Sequence, residues 1–292
     1  LDKKPSWIKK KISLNNTNIS KVKRLIDRSD LHTVCQSAKC PNIFECFSRK
    51  TSTFMLMGDI CTRNCAFCGV QSGKPGPLDP EEPEKIALAV REMGLHYTVI
   101  TSVTRDDIDD GGAGHFLETV QEIKRVNPQA KVECLIPDLK GNRGSLETLL
   151  GGDLDVLNHN METVREKYPG VRKDADYQRS LDLLRDAKKI RPDIYTKSGF
   201  MLGLGENMEQ VTRLLEDIKS SMVDIITIGQ YLQPSRENIK VSRYYSPEEF
   251  SSLGKRAKDM GFLAVEAGPF VRSSYCAEIV LKKALDSKGE KD

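Results

Sequence analysis

No stretch of this 292-residue chain is apolar for long enough to cross a bilayer, and its N-terminus carries no signal-peptide pattern. A membrane role is not expected, and without a secretory signal the eight cysteines do not read as four disulfides. The chain begins at Leu1, which leaves room for a trimmed start or a removed organellar leader. Short-period repeats and low-complexity linkers are absent, which argues against a solenoid. G-x-x-x-x-G-K is missing too, so the glycines imply no phosphate-binding loop. Only one cysteine pair, Cys65–Cys68, has the C-x2-C spacing from which zinc knuckles are built.

What is present is a concentration of thiols. Six of the eight cysteines lie between Cys35 and Cys68, as C-x4-C-x5-C (Cys35, Cys40, Cys46) and C-x3-C-x2-C (Cys61, Cys65, Cys68). Three-plus-three suits neither a four-ligand zinc site nor a plant-type ferredoxin. A thiolate triplet can hold three irons of a cubic iron–sulfur cluster and leave the fourth for another ligand. Two triplets of unequal spacing therefore suggest two [4Fe-4S] clusters with two different tasks.

Composition adds little: 38% apolar and 30% charged residues are ordinary for a globular chain of one large or two modest domains. The net charge of +3 is unevenly spread, because residues 1–34 hold nine basic side chains against three acidic ones. Such a stretch is commonly a solvated end; it also fits an arm that docks on an acidic partner surface. Trp7 is the only aromatic in it, too few for base stacking, so nucleic acid is not expected.

Residues 1–50 read as irregular. Beyond them strand and helix signals alternate. Strands are expected at Thr53–Met57, Tyr97–Thr101, Val132–Ile136, Leu154–Leu157, Tyr195–Leu202, Ile225–Ile228 and Phe262–Val265, with helices between. Asp79-Pro80-Glu81-Glu82, Asn207 with Gln210, and Ser246-Pro247-Glu248-Glu249 read as helix starts. Six β–α units in succession predict a parallel sheet, as an open doubly wound sheet or an incomplete barrel. In either form ligands bind where strands end, and there the polar runs lie. They include the second cysteine triplet, Asn158-His159-Asn160 and Gly203-Leu204-Gly205-Glu206. Cys134 reads as a core residue, and Asp106, Asp107, Asp109 and Asp110 as a solvated run before a helix.

Cys61, Cys65 and Cys68 directly after a strand resemble the signature of the radical S-adenosylmethionine (SAM) superfamily, and Gly199–Glu206 resembles its G-x-M-x-G-x-x-E strand. Longer runs narrow the resemblance to the lipoyl synthase family. They include Leu31–Cys35, Cys40–Ile43, Gly58–Arg63, Asn158–Asn160, Lys197–Gly199, Tyr231–Arg236 and Glu266–Tyr275. The similarity covers about residues 30–276. It departs from the family at Cys276, where histidine is common, at Thr104, where aspartate is frequent, and at Gly69, where an acidic residue is frequent.

The resemblance implies an α/β fold: an incomplete (β/α)6 TIM-type barrel (51–266), an N-terminal extension with the auxiliary cysteines (1–50) and a C-terminal segment closing over the barrel mouth (267–292). It implies that Cys61, Cys65 and Cys68 hold the cluster that binds SAM. Cys35, Cys40 and Cys46 would hold an auxiliary cluster completed by Ser274, or less favourably Ser273, and consumed as a sulfur source. Phe67 and Met201 would lie at the adenine, with Gly203, Glu206, Asn158 and Lys197 at SAM, Lys197 by pairing with its carboxylate, and His159 and Asn160 would touch SAM or substrate.

The implied substrate is an octanoyl chain on a lysine of a lipoyl-carrier domain, from a dehydrogenase E2 subunit or the glycine cleavage H protein. An electron donor and an iron–sulfur cluster carrier are further implied partners. The implied location is the cytoplasm, or an organellar matrix in a eukaryote. Biotin synthase-like or methylthiotransferase-like enzymes, and a non-catalytic electron carrier, are the alternatives. The first should lack the Cys35–Cys46 triplet, the second should add an RNA-binding domain, and the third gives the strand-end residues no task. Two clusters predict about eight irons and eight sulfides per chain; reconstituted protein with only four of each would contradict the division.

Overall fold

The computed structural model describes residues 4–10 and 16–289. Among its described residues the extension forms a short 3-10 turn (Ser6–Ile8) and three α-helices, α1 (Thr17–Arg28), α2 (Val34–Ser37) and α3 (Ile43–Ser48). Residues 1–50 were expected to be irregular, and this is a correction. Ile19, Val22, Leu25 and Ile26 recur at helical spacing and bury one face of α1, while lysines and arginines between them obscure the pattern. Lys3 and Lys11 of the basic arm lie outside the described residues.

Beyond the extension follow β1 (Thr53–Leu56), the short β2 (Ile60–Cys61) and β3 (Gln71–Ser72), α4 (Glu82–Met93), β4 (Tyr97–Ser102) and α5 (Ala113–Val126). Next come β5 (Lys131–Leu135), α6 (Arg143–Leu150), β6 (Val156–Asn158), α7 (Tyr168–Val171), α8 (Tyr177–Ile190) and β7 (Tyr195–Leu202). The chain continues with α9 (Met208–Ser220), β8 (Ile225–Gln230), α10 (Pro247–Asp259), β9 (Ala264–Gly268) and α11 (Ala277–Gly289). The capping boxes expected from Asn207–Gln210 and Ser246–Glu249 both form. The start of α4 differs: Asp79 accepts from the Glu81 amide at 2.9 Å in a turn, and the helix begins at Glu82 with Pro83 in its first turn.

Seven strands pair in the order β1-β4-β5-β6-β7-β8-β9, all parallel. Sequence order is never reversed, so the sheet has no switch point and is not doubly wound. It is an incomplete barrel, with helices packed on one face. Phe54, Ile100, Cys134 and Leu157 face that layer in one apolar cluster; Phe200, Ile226 and Ile228 do so in a second. Alternate strand residues turn the other way and meet the C-terminal helix: Tyr97, Val99, Val156, Ile225 and Ala264 pack with Ala277, Val280, Leu281 and Ala284 of α11.

The C-terminal segment therefore divides. Its first part crosses the strand ends, where the Phe270 carbonyl accepts from Asn42 Nδ2 at 2.7 Å. Its second part, α11, covers the opposite ends of the strands, near their first residues. Leu281 is buried in that contact. Leu281→Ala should destabilise the protein by about 2–4 kcal/mol, read from denaturant titration; a change below about 0.5 kcal/mol would show that α11 is not part of the core.

Candidate active site

The second triplet sits in a loop whose start is held by buried polar groups. Met57, directly after β1, is in the left-handed region at φ 67°. The Met57 amide donates to Glu82 Oε2 at 2.8 Å, and His115 Nε2 meets the same oxygen at 2.6 Å. Pairing of β2 with β3 then folds the loop back on itself. Cys61 Sγ accepts from the amides of Arg63 (3.4 Å) and Thr104 (3.3 Å), and Cys68 Sγ from that of Val70 (3.5 Å). Backbone dipoles thus point at two of the three sulfurs.

Arg63, between the first two cysteines of the loop, is buried and divides its guanidinium between Asp106 (2.6 Å) and Asp138 (2.7 Å). Burial alone would push the Asp138 carboxyl up, but Arg63 holds it down at about 2. Asp106 is therefore no member of a solvated run. Asp107 pairs with Arg105, and Asp110 accepts from the Gly112 and Gly114 amides at the start of α5.

The first triplet is carried on α2, the turn after it and α3. Met55 donates its amide to the His32 carbonyl at 2.8 Å, which docks this extension on β1. Desolvation pushes the Cys35 thiol up to about 11 and those of Cys46 and Cys68 up to about 12; Cys65 is raised as well. Cys35 and Cys40 both act on Cys46, and Cys61 and Cys65 both act on Cys68, so each triplet is spatially compact. None of the eight cysteines is paired in a disulfide.

The donor set fits iron–sulfur clusters. Among the described residues no three ligating side chains converge as on a single ion, whereas a four-iron cluster takes its thiolates one per iron. Buried polar atoms at the strand ends also stand without partners: Asn158 Oδ1, His159 Nε2 and Arg172 Nε. Such atoms are costly unless a polar ligand meets them. The two triplets are neighbours: Gly69, next to Cys68, lies so close to Ala38, between Cys35 and Cys40, that a Cβ on it would come within 3.3 Å of the Ala38 carbonyl oxygen.

Phe67 and Met201 come together, packed against Val171, Leu204 and Tyr231. Glu206 turns back on its own loop and accepts from the Gly203 (2.7 Å) and Leu204 (2.8 Å) amides. Lys197, expected at the carboxylate of SAM, instead meets a carboxylate of the protein: its Nζ lies 3.0 Å from both oxygens of Glu133. Asn158, also expected at SAM, spends its amide on Glu133 Oε1 and Ser273 Oγ, both at 2.7 Å. His159 is buried, bonded through Nδ1 to the Ile136 carbonyl and pushed down to about 4 by that burial, hence neutral. Glu82, His115, Glu133 and Arg172 were not anticipated. Isolated acids, bases and histidines within helices and strands carry no motif.

Known proteins place this architecture. Residues 55–218 match the model of the radical SAM superfamily, which covers the second triplet and not the first. Among solved structures, methylornithine synthase (PylB) aligns with a TM-score of 0.57 at 16% identity, over 86% of this chain and 76% of its own. HydG, a maturase of the [FeFe]-hydrogenase, aligns with a TM-score of 0.59 at 13% identity, over 85% and 65%. The barrel and its cysteine loop are those of a radical SAM protein.

Relatives in sequence are more specific. The lipoyl synthase of Caldicellulosiruptor saccharolyticus is 50% identical over 280 residues, 96% of this chain and 98% of that protein. The lipoyl synthase of Halalkalibacterium halodurans is 50% identical over 283 residues, 97% and 93%. The chain belongs to the lipoyl synthase family. In the cluster-free protein, Cys35, Cys46 and Cys68 should alkylate with iodoacetamide at least about tenfold more slowly at pH 8 than an exposed thiol. Peptide mass spectrometry reads this, and free-thiol rates at these positions would contradict the desolvation that raises these thiols.

Proposed function

We infer that this protein is a lipoyl synthase that inserts two sulfur atoms, at C6 and C8 of a protein-bound octanoyl-lysine. The observation that carries the reading is the adjacency of the two thiol triplets, where Gly69, beside Cys68, packs on Ala38, between Cys35 and Cys40. When bound, the two [4Fe-4S] clusters and SAM supply the electron, the 5′-deoxyadenosyl radical that takes hydrogen from an unactivated carbon, and the sulfur.

In this reading Cys61, Cys65 and Cys68 hold the cluster that meets SAM, and the amides of Arg63, Thr104 and Val70 steady two of those sulfurs. Phe67 and Met201 offer the apolar wall for adenine, on a turn that Glu206 ties to Gly203. Cys35, Cys40 and Cys46 hold the auxiliary cluster, and Ser274 completes it with an oxygen, a harder and less tenacious ligand than thiolate. Lys197 acts from beneath the site through Glu133, and Asn158 keeps one unpartnered oxygen toward it. The polypeptide contributes placement and the exclusion of water.

The extension (1–50), barrel (51–266) and C-terminal segment (267–292) serve as one unit. The basic arm suits an acidic octanoylated carrier, a dehydrogenase E2 domain or the glycine cleavage H protein. An electron donor and an iron–sulfur cluster carrier are the other partners, and the cytoplasm is the proposed location. No helix among the described residues is long and apolar enough to cross a membrane.

Anaerobically reconstituted protein with reductant, SAM and an octanoyl-lysine peptide should yield methionine, 5′-deoxyadenosine and thiolated peptide. The nucleoside without any thiolated peptide would refute the reading. Replacing Cys35, Cys40 and Cys46 by alanine should abolish thiolation and leave SAM cleavage measurable; loss of both would refute separate roles.

A further inference from the structure

The consecutive serines of the C-terminal segment have different surroundings. Ser273 is held between two asparagines at the end of β6: it accepts from Asn158 Nδ2 at 2.7 Å and donates to Asn160 Oδ1 at 2.9 Å. Asn158 in turn donates to Glu133, whose carboxylate also receives Lys197 Nζ and the Tyr97 hydroxyl at 2.6 Å. A continuous polar chain thus runs from the inner face of β4, β5 and β7, through β6, into the segment that crosses the strand ends.

Two glycines make this approach possible. A Cβ at Gly229 would collide with the Val271 carbonyl, and one at Gly199 with Thr227 and within 3.0 Å of Asn160 Oδ1. With glycine at both, the backbone of the crossing segment lies directly on β8, and Asn160 fits over β7. The far side of the same turn is tied to the extension: Tyr275 Oη donates to Glu45 Oε1 at 2.8 Å, one residue before Cys46.

We propose that Ser273 is a positioning residue. Its hydroxyl, fixed by Asn158 and Asn160, anchors the Arg272–Tyr275 turn to the barrel so that the next residue, Ser274, is presented to the auxiliary cysteines. This rests on the reading of Cys35, Cys40, Cys46 and Ser274 as the auxiliary site. It divides the work between neighbours: Ser274 serves iron, and Ser273 serves geometry. A hydroxyl that already donates to Asn160 and accepts from Asn158 is not free to turn toward a metal.

The test compares Ser273→Ala, Ser273→Thr and Ser274→Ala in the reconstituted holoenzyme. Hydrogen–deuterium exchange reads the order of residues 272–276, and Mössbauer spectra read the fraction of auxiliary clusters with an oxygen-ligated iron. Ser273→Ala should speed exchange about tenfold, the order expected for one lost buried hydrogen-bond anchor. It should also lower the oxygen-ligated fraction, and Ser273→Thr should restore both. Ser274→Ala should remove the oxygen ligand while leaving exchange slow.

Unchanged exchange in Ser273→Ala would overturn the anchor. Oxygen-ligated iron that survives Ser274→Ala and vanishes in Ser273→Ala would overturn the division by making Ser273 the ligand. If wild-type protein has no auxiliary cluster, the functional reading fails instead, and exchange alone still judges the anchor.

Discussion

Inside the barrel, a carboxylate and an ammonium face each other at 3.0 Å with side chains only 1% exposed. Glu133 stands on β5 and Lys197 on β7, and the strand between them, β6, contributes Asn158 to the same carboxylate. Tyr97 adds its hydroxyl from β4. Charges removed from water pay a large desolvation cost, and loss of either partner would strand the other in the core at about 3–5 kcal/mol. The pair is therefore of more consequence for geometry than for net stability. It joins side chains of four adjacent strands, and everything at their carboxyl ends is built on that layer.

The same layer separates two environments. Toward the first residues of the strands, α11 packs an apolar cluster against the inner face. Toward the other end, buried polar atoms without partners, Asn158 Oδ1 and His159 Nε2, stand where β6 ends. A single interior thus changes from dry packing to a ligand site over the length of a strand. Arg63, shared between Asp106 and Asp138, does for the second triplet what Glu82 and His115 do for the end of β1: each fixes backbone that carries or leads into the cysteine loop. Rigid support of this kind is what a site needs when its ligands must keep sub-ångström positions.

The barrel was legible in the sequence because the signals that encode it are local. Runs such as Thr53–Leu56 and Ile225–Gln230 are short and apolar, and the boxes at Asn207 and Ser246 mark where helices begin. The choice between barrel and doubly wound sheet was not, since it depends on strand order. The thiol triplets were legible from spacing alone. Their supports were not: Glu133 and Lys197 lie 64 positions apart, and Asn158 and Ser273 lie 115 apart. Lys197 was misplaced for that reason. A lysine inside a strand announces a buried partner without saying whether protein or ligand provides it. Helix α1 escaped notice because Lys21, Lys23 and Arg24, on its exposed face, alternate along the sequence with its apolar residues.

The crossing segment also fixes the order in which the protein can be finished. Asn42 meets the Phe270 carbonyl 228 positions away, and Glu45 meets Tyr275 across 230. Lys10 joins the same contact, pairing with Glu45 and lying over the rings of Phe270 and Tyr275. During synthesis the first triplet leaves the ribosome early, yet its surroundings stay incomplete until almost the whole chain has emerged. The loop of Cys61, Cys65 and Cys68 needs β1, β4 and the Asn238 region to close, all of which come sooner. A chain stopped short of residue 270 would keep the contacts that close the Cys61–Cys68 loop and lose those that complete the surroundings of Cys35, Cys40 and Cys46.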